Sequence, residues 1–141
     1  MIRSIAGLLS SSTRRNELGW NVLRLMVAVI IGAHGWTRLL NWEFSGFGEW
    51  LTSQGVPFGL AIAAGLTLLE ALGSILLALR VLVFPLTLSF SCIYTVGIAM
   101  VHAPDGWFVV GKGRNGAEFS VLLIVSLLCV ALQHVPSRPA A

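Results

Sequence analysis

From Val56 to Val101 the chain is apolar apart from two charges, Glu70 and Arg80. A helix rises about 1.5 Å per residue and a bilayer's hydrocarbon core is about 30 Å thick, so about 20 residues cross it. The stretch therefore predicts two spans, about 58–79 and 81–101, with Arg80 at the turn between them. Two further apolar runs predict a first span over about 19–40 and a last over about 117–134. Trp20 and Trp36 lie near the ends of the first, where amphipathic rings favour the interface. Pro85 falls in the first turn of the third, where a missing N–H is tolerated. The aromatic connection 41–57 reads as a loop or short helix lying on the membrane, and 102–116, HAPDGWFVVGKGRNG, as a polar connection. The expected architecture is all-α, an integral membrane four-helix bundle. Residues 1–18 form an N-terminal tail, 19–135 the transmembrane domain and 136–141 a C-terminal tail.

Composition supports the same class. The chain is 56% hydrophobic and only 11% charged, against about 25% charge in a soluble domain. The net charge of +3 is no sign of nucleic acid binding. Five of the nine basic residues, Arg3, Arg14, Arg15, Arg80 and Arg138, sit at the tails and the central turn, where they read as topology determinants. Four spans put both termini and that turn on one side, and the basic excess places this side in the cytoplasm of a cell-membrane protein. Ile5 to Leu9 is too short for a signal peptide, and Arg14-Arg15 follows it rather than preceding it. Cys92 and Cys129 both fall inside spans without a CxxC pair, so they read as small apolar side chains.

Helical spacing sorts the polar residues into stripes. Arg24, Ala28, Ile31, Gly35 and Arg38 share one face of the first span, with His34 beside it. Ala63, Thr67, Glu70 and Ser74 line the second, and Thr87, Ser91, Thr95 and His102 the third. Glu118, Ser126, Cys129 and Gln133 do so more loosely in the fourth. In lipid such faces turn inward, giving a bundle with a polar seam. Glu70 lies about 15 Å from the level of Arg80, close to the bilayer midplane, where a carboxyl group is costly and marks a candidate site. Arg24 is the expected partner of Glu70. A second cluster, His34, Arg38, His102 and Glu118, is expected at the outer side, beside the glycine-rich segment Gly111 to Gly116. Its imidazoles, guanidinium and carboxylate suit an anion, a quinone head group or proton passage. Ion pairs that only fix packing, Arg24 with Glu70 and Arg38 with Glu118, are the competing reading and weigh evenly for Arg24 and Glu70, while His34 and His102 fit better as helix-end caps or hydrogen-bonding groups. No spacing matches a haem, di-iron or other metal site.

LRLMVAVIIGAHGWTRLL in the first span, QGVP leading into LLEALGSILLALR, and HAPDGWFVVGKGRNGAEFSVLLIV late in the chain together resemble the DoxX family of membrane proteins. The family elements correspond here to Arg24, the group His34, Gly35 and Arg38, Glu70, His102, and the pair Gly116 and Glu118. Arg38 stands where a lysine is common, so any role that needs a titrating lysine is lost. The family takes its name from a membrane subunit of a thiosulfate:quinone oxidoreductase. The resemblance implies a redox-linked subunit associated with quinone or a sulfur compound, working with a redox partner protein or as a homo-oligomer. A cofactor held by the chain itself is not expected, and whether the protein is an enzyme is left open. The competing expectations are a non-enzymatic scaffold or assembly partner and, ranked last, a solute or proton pathway.

Overall fold

Ser11 opens the first helix: its Oγ accepts the backbone N–H of Arg14 at 3.2 Å, satisfying one of the donors a helix start leaves free. The computed structural model describes residues 11–110 and 114–136. Helix α1 runs Ser12–Leu40 and α2 Phe44–Ser53; α3 runs Gly59–Ala78 and α4 Val83–Gly97. The path of α4 continues through a π-helical turn, Ile98–His102, and a 3-10 turn, Ala103–Asp105. Helix α5 is Glu118–Leu132, and no strand occurs among the described residues. Three helices, α1, α3 and α4 with its extension, are long and apolar enough to cross a membrane, whereas α5, at 15 residues, is shorter.

The first helix begins seven residues before the expected span, so 12–18 belong to it rather than to a tail; residues 1–10 and 137–141 lie outside the described residues. The connection 41–57 holds a true helix, α2, which packs against the start of α3. Gly48 and Gly59 meet there so closely that a Cβ on Gly48 would stand 2.6 Å from the Leu60 Cα.

Helices α1 and α3 are antiparallel and in intimate contact. A Cβ on Gly32 would stand 2.9 Å from Ser74 Oγ, and one on Gly35 would stand 2.5 Å from the Ala71 backbone N. At Gly35 only glycine allows this approach, since a side chain would have to push backbone aside, whereas at Gly32 it is the Ser74 side chain that would have to shift. The register has a consequence for depth. The first turns of α3, from Gly59, extend past the end of α1 and pair with α2 instead, so the C-terminal turn of α1 faces the middle of α3.

Helices α4 and α5 form a second closely packed pair. The apolar core joins the two pairs through Val27 and Ile31 of α1, Leu77 of α3, Phe90 of α4, and Leu127 and Val130 of α5. The outward faces carry exposed Leu25 and Val29 on α1, Leu68 and Leu72 on α3, and Leu122 and Val125 on α5. Apolar surfaces of this extent are suited to lipid contact.

Candidate functional site in a cavity between the helix pairs

Glu70 is 3% exposed, at the middle of α3. Its Oε2 accepts Arg38 Nη1 at 2.8 Å, and its Oε1 accepts the Tyr94 hydroxyl at 3.3 Å. Arg38 Nη1 also lies 3.4 Å from Thr67 Oγ1. One carboxylate thus ties α1, α3 and α4 together. The Arg38 guanidinium lies over the Phe47 ring of α2, 4.9 Å from its centroid, a cation–π contact. Burying this pair in low dielectric is tolerable because both charges are hydrogen-bonded to one another and to hydroxyls.

The expected pairing of Arg24 with Glu70 is not the one formed. Gly35, not Arg24, stands opposite Glu70, and eleven residues of helix separate the two levels by about 16 Å. Arg24, 5% exposed, instead sends Nη1 to the carbonyl oxygens of Leu77 and Ala78 at the C-terminus of α3. Its Nη2 lies 3.4 Å from Asn21 Oδ1. A guanidinium is well placed there, because the last carbonyls of a helix lack the full set of intrahelical donors and carry partial negative charge; of the two, Leu77 also accepts the Arg80 N–H at 3.2 Å.

The outer cluster is likewise rearranged. Arg38 turns down to Glu70, so no Arg38–Glu118 ion pair forms. The Glu118 carboxylate instead accepts the Val109 N–H at 2.9 Å. The backbone N–H groups of Ala117 and Glu118 donate to Gly106 and Trp107 carbonyls at 3.0 and 3.1 Å. Glu118 therefore pins the 106–109 loop onto the start of α5. His102 Nδ1 lies 2.7 Å from the Asn115 carbonyl oxygen. Gly111 to Gly113 lie outside the described residues. Gly116 packs against the Trp107 and Phe108 carbonyls, which leave no room for a Cβ.

Between the α1–α3 and α4–α5 pairs lies a cavity of about 750 Å³, within the range of small-molecule sites, about 300–1,000 Å³. Its α1 wall is Leu23, Met26, Val27, Ile30, His34 and Arg38, one helical face about 22 Å long. Glu70, Tyr94 and His102 line it, with Phe47 and Trp50 of α2 and Ser120 and Ser126 of α5. Most of the lining is apolar, and the charged and imidazole groups lie towards the α2 end. The structure thus brings His34, Arg38, Glu70 and His102 to one cavity, while Arg24 and Glu118 serve helix and loop ends. Exposed Ile30 of α1, Val96 of α4 and Phe119 and Leu122 of α5 are among the lining residues, so the cavity opens sideways on the apolar outer surface.

Tyr94 was missed by sequence reasoning. It is the chain's one tyrosine and sits beside the Ser91–Thr95 stripe. A phenol in mid-span needs a partner, and Glu70 was the candidate on offer. Cys92 and Cys129 are free thiols, and no group of three or more metal-binding side chains stands together among the described residues.

No curated protein and no solved structure is significantly similar to the chain. The DoxX family profile, in contrast, matches residues 19–103. The match takes in α1 from Gly19 onward, α2, α3 and α4 with Arg24, His34, Arg38, Glu70 and His102, and stops short of Glu118. A match over that much of the chain, on the helices that build most of the cavity wall, establishes that this protein belongs to the DoxX family.

Proposed function

We propose that the protein is a redox-linked membrane subunit whose cavity binds the head group and part of the tail of a quinone. One observation carries this reading: an apolar cavity whose α1 wall runs about 22 Å, opening on the apolar outer surface, has the Arg38–Glu70 ion pair and Tyr94 in its wall. A quinone matches that chemistry. Its ring oxygens accept hydrogen bonds, and Arg38 Nε and Nη2 have no hydrogen-bond partner among the described residues. Its apolar tail fits the Met26, Ile30 and Leu122 walls. Electrons would pass to or from a partner protein, as the family's name for a thiosulfate:quinone oxidoreductase subunit suggests. The test is a titration of a short-tailed quinone into the protein in lipid nanodiscs, followed by calorimetry. Saturable binding is expected, weakened about tenfold in Arg38→Gln by loss of a charged donor; absence of binding to the wild type would sink the reading.

The same chain in a membrane is read as a four-helix bundle with α5 as the fourth crossing and both termini in the cytoplasm. Phe119 to Leu132 holds no charge, and its exposed large side chains are phenylalanine, leucine and valine. In a Cys92→Ser, Cys129→Ser background, a cysteine at Asn115 should label from outside intact cells and one at Gln133 only after permeabilisation. The reverse pattern would invert the topology.

A scaffold role is the second reading. It is favoured by the Gly35 contact, and the neighbouring ion pair then acts as a packing device. In that case Arg38→Gln lowers stability and the quinone titration is flat.

A further inference from the structure

His102 has a fixed hydrogen-bonding sense. Its Nδ1 stands 2.7 Å from the Asn115 carbonyl oxygen, which can only accept, so Nδ1 carries the ring proton. In the neutral ring Nε2 is then a bare acceptor. It has no partner among the described residues, on a side chain that lines the cavity. The arrangement is held from both sides. The π-helical turn Ile98–His102 presents the histidine, and such turns recur at functional sites. Asn115 adopts a left-handed backbone, φ 61°, and its Nδ2 donates to Asp105 Oδ2 at 3.1 Å, so its carbonyl is fixed in place.

Arg38 does not tell the two redox forms of a quinone apart, because carbonyl and hydroxyl oxygens both accept its N–H groups. His102 does. A hydroquinone offers an O–H to Nε2, whereas a quinone oxygen would set two lone pairs against each other. Resting on the reading of the cavity as a quinone site, we propose that His102 makes it selective for the hydroxyl-bearing, reduced ring.

Three probes with one short tail test this by anaerobic calorimetry on the full chain in nanodiscs: a benzoquinone, its hydroquinone, and the hydroquinone's dimethyl ether. The ether keeps the ring and loses the donors. Wild type should bind the hydroquinone about tenfold more tightly than either other probe. In His102→Phe that ratio should fall to about one while quinone affinity changes by less than about threefold. His102→Gln, whose amide oxygen can accept, should keep part of the preference. Equal binding of hydroquinone and ether by wild type overturns the selectivity and leaves the cavity site standing. A preference that survives in folded His102→Phe overturns the role of His102. Failure of all three probes to bind removes both the site and its selectivity.

Discussion

Glu70→Ala should be among the most destabilising single substitutions in the chain, costing about 2–4 kcal/mol. The loss leaves the Arg38 guanidinium in an apolar wall without its counter-ion and frees the Tyr94 hydroxyl. The Arg38 side chain is 22% exposed, which keeps the cost towards the lower end, since the stranded cation can turn to the cavity. Arg38→Ala should cost a similar amount for the converse reason. The double variant should be less damaged than the sum, with a coupling of about 1–3 kcal/mol. Denaturant titration in detergent, followed by far-ultraviolet circular dichroism, reads all three. A cycle between Glu70 and Arg24 should be additive within about 0.5 kcal/mol, because their levels lie about 16 Å apart. Strong coupling of Glu70 to Arg24 and none to Arg38 would reverse the assignment.

Arg24→Ala should rank next, at about 2–3 kcal/mol. It leaves the Leu77 and Ala78 carbonyls without their side-chain donor, at a turn already holding Arg80 and Leu82 at φ 63° and 53°. Non-glycine residues adopt that region at some cost, so the turn depends on what surrounds it. The buried Arg24 Nε has no partner, which limits what the side chain contributes. Arg24→Lys keeps the charge but cannot fork across two carbonyls, and should recover about half the loss. Full recovery by lysine would mean that charge at the helix end matters and the fork does not.

The two arginines show where sequence reading holds and where it fails. The apolar runs located every long helix, because membrane thickness fixes how long a run must be. The spacing of Arg24, Gly35 and Arg38 put them on one inward face, because helical periodicity is local, and in the structure that face meets α3. Partner choice is not local. Counting residues from each predicted surface set Arg38 near the outer boundary and Glu70 far below it. That count assumed that α1 and α3 begin and end at the same level. In the structure α2 pairs with the first turns of α3, and the end of α1 meets α3 near Thr67 and Glu70 instead. Nothing in the 41–57 segment announced that offset except Gly48, whose close approach to Gly59 of α3 needs the fold to be seen. Glu118 failed for a related reason. Its partner is a backbone N–H in the preceding loop, and backbone donors leave no mark in a sequence. The cavity is a gap between helix pairs and has no sequence signal of its own beyond Tyr94, a polar tip in an apolar span.

The central claim is that this cavity receives an apolar ligand with a polar head, and filling the cavity tests it most directly. Gly97 lines it, and a Cβ built there meets nothing within 4 Å. A phenylalanine at this helical position can occupy the space a ligand would take without pushing backbone aside. In the quinone titration, Gly97→Phe should bind at least about tenfold more weakly than wild type. Its unfolding midpoint should be unchanged or raised, because added apolar contact replaces empty volume. Wild-type affinity in a folded Gly97→Phe protein would contradict the account, since the ligand would then bind somewhere other than this cavity.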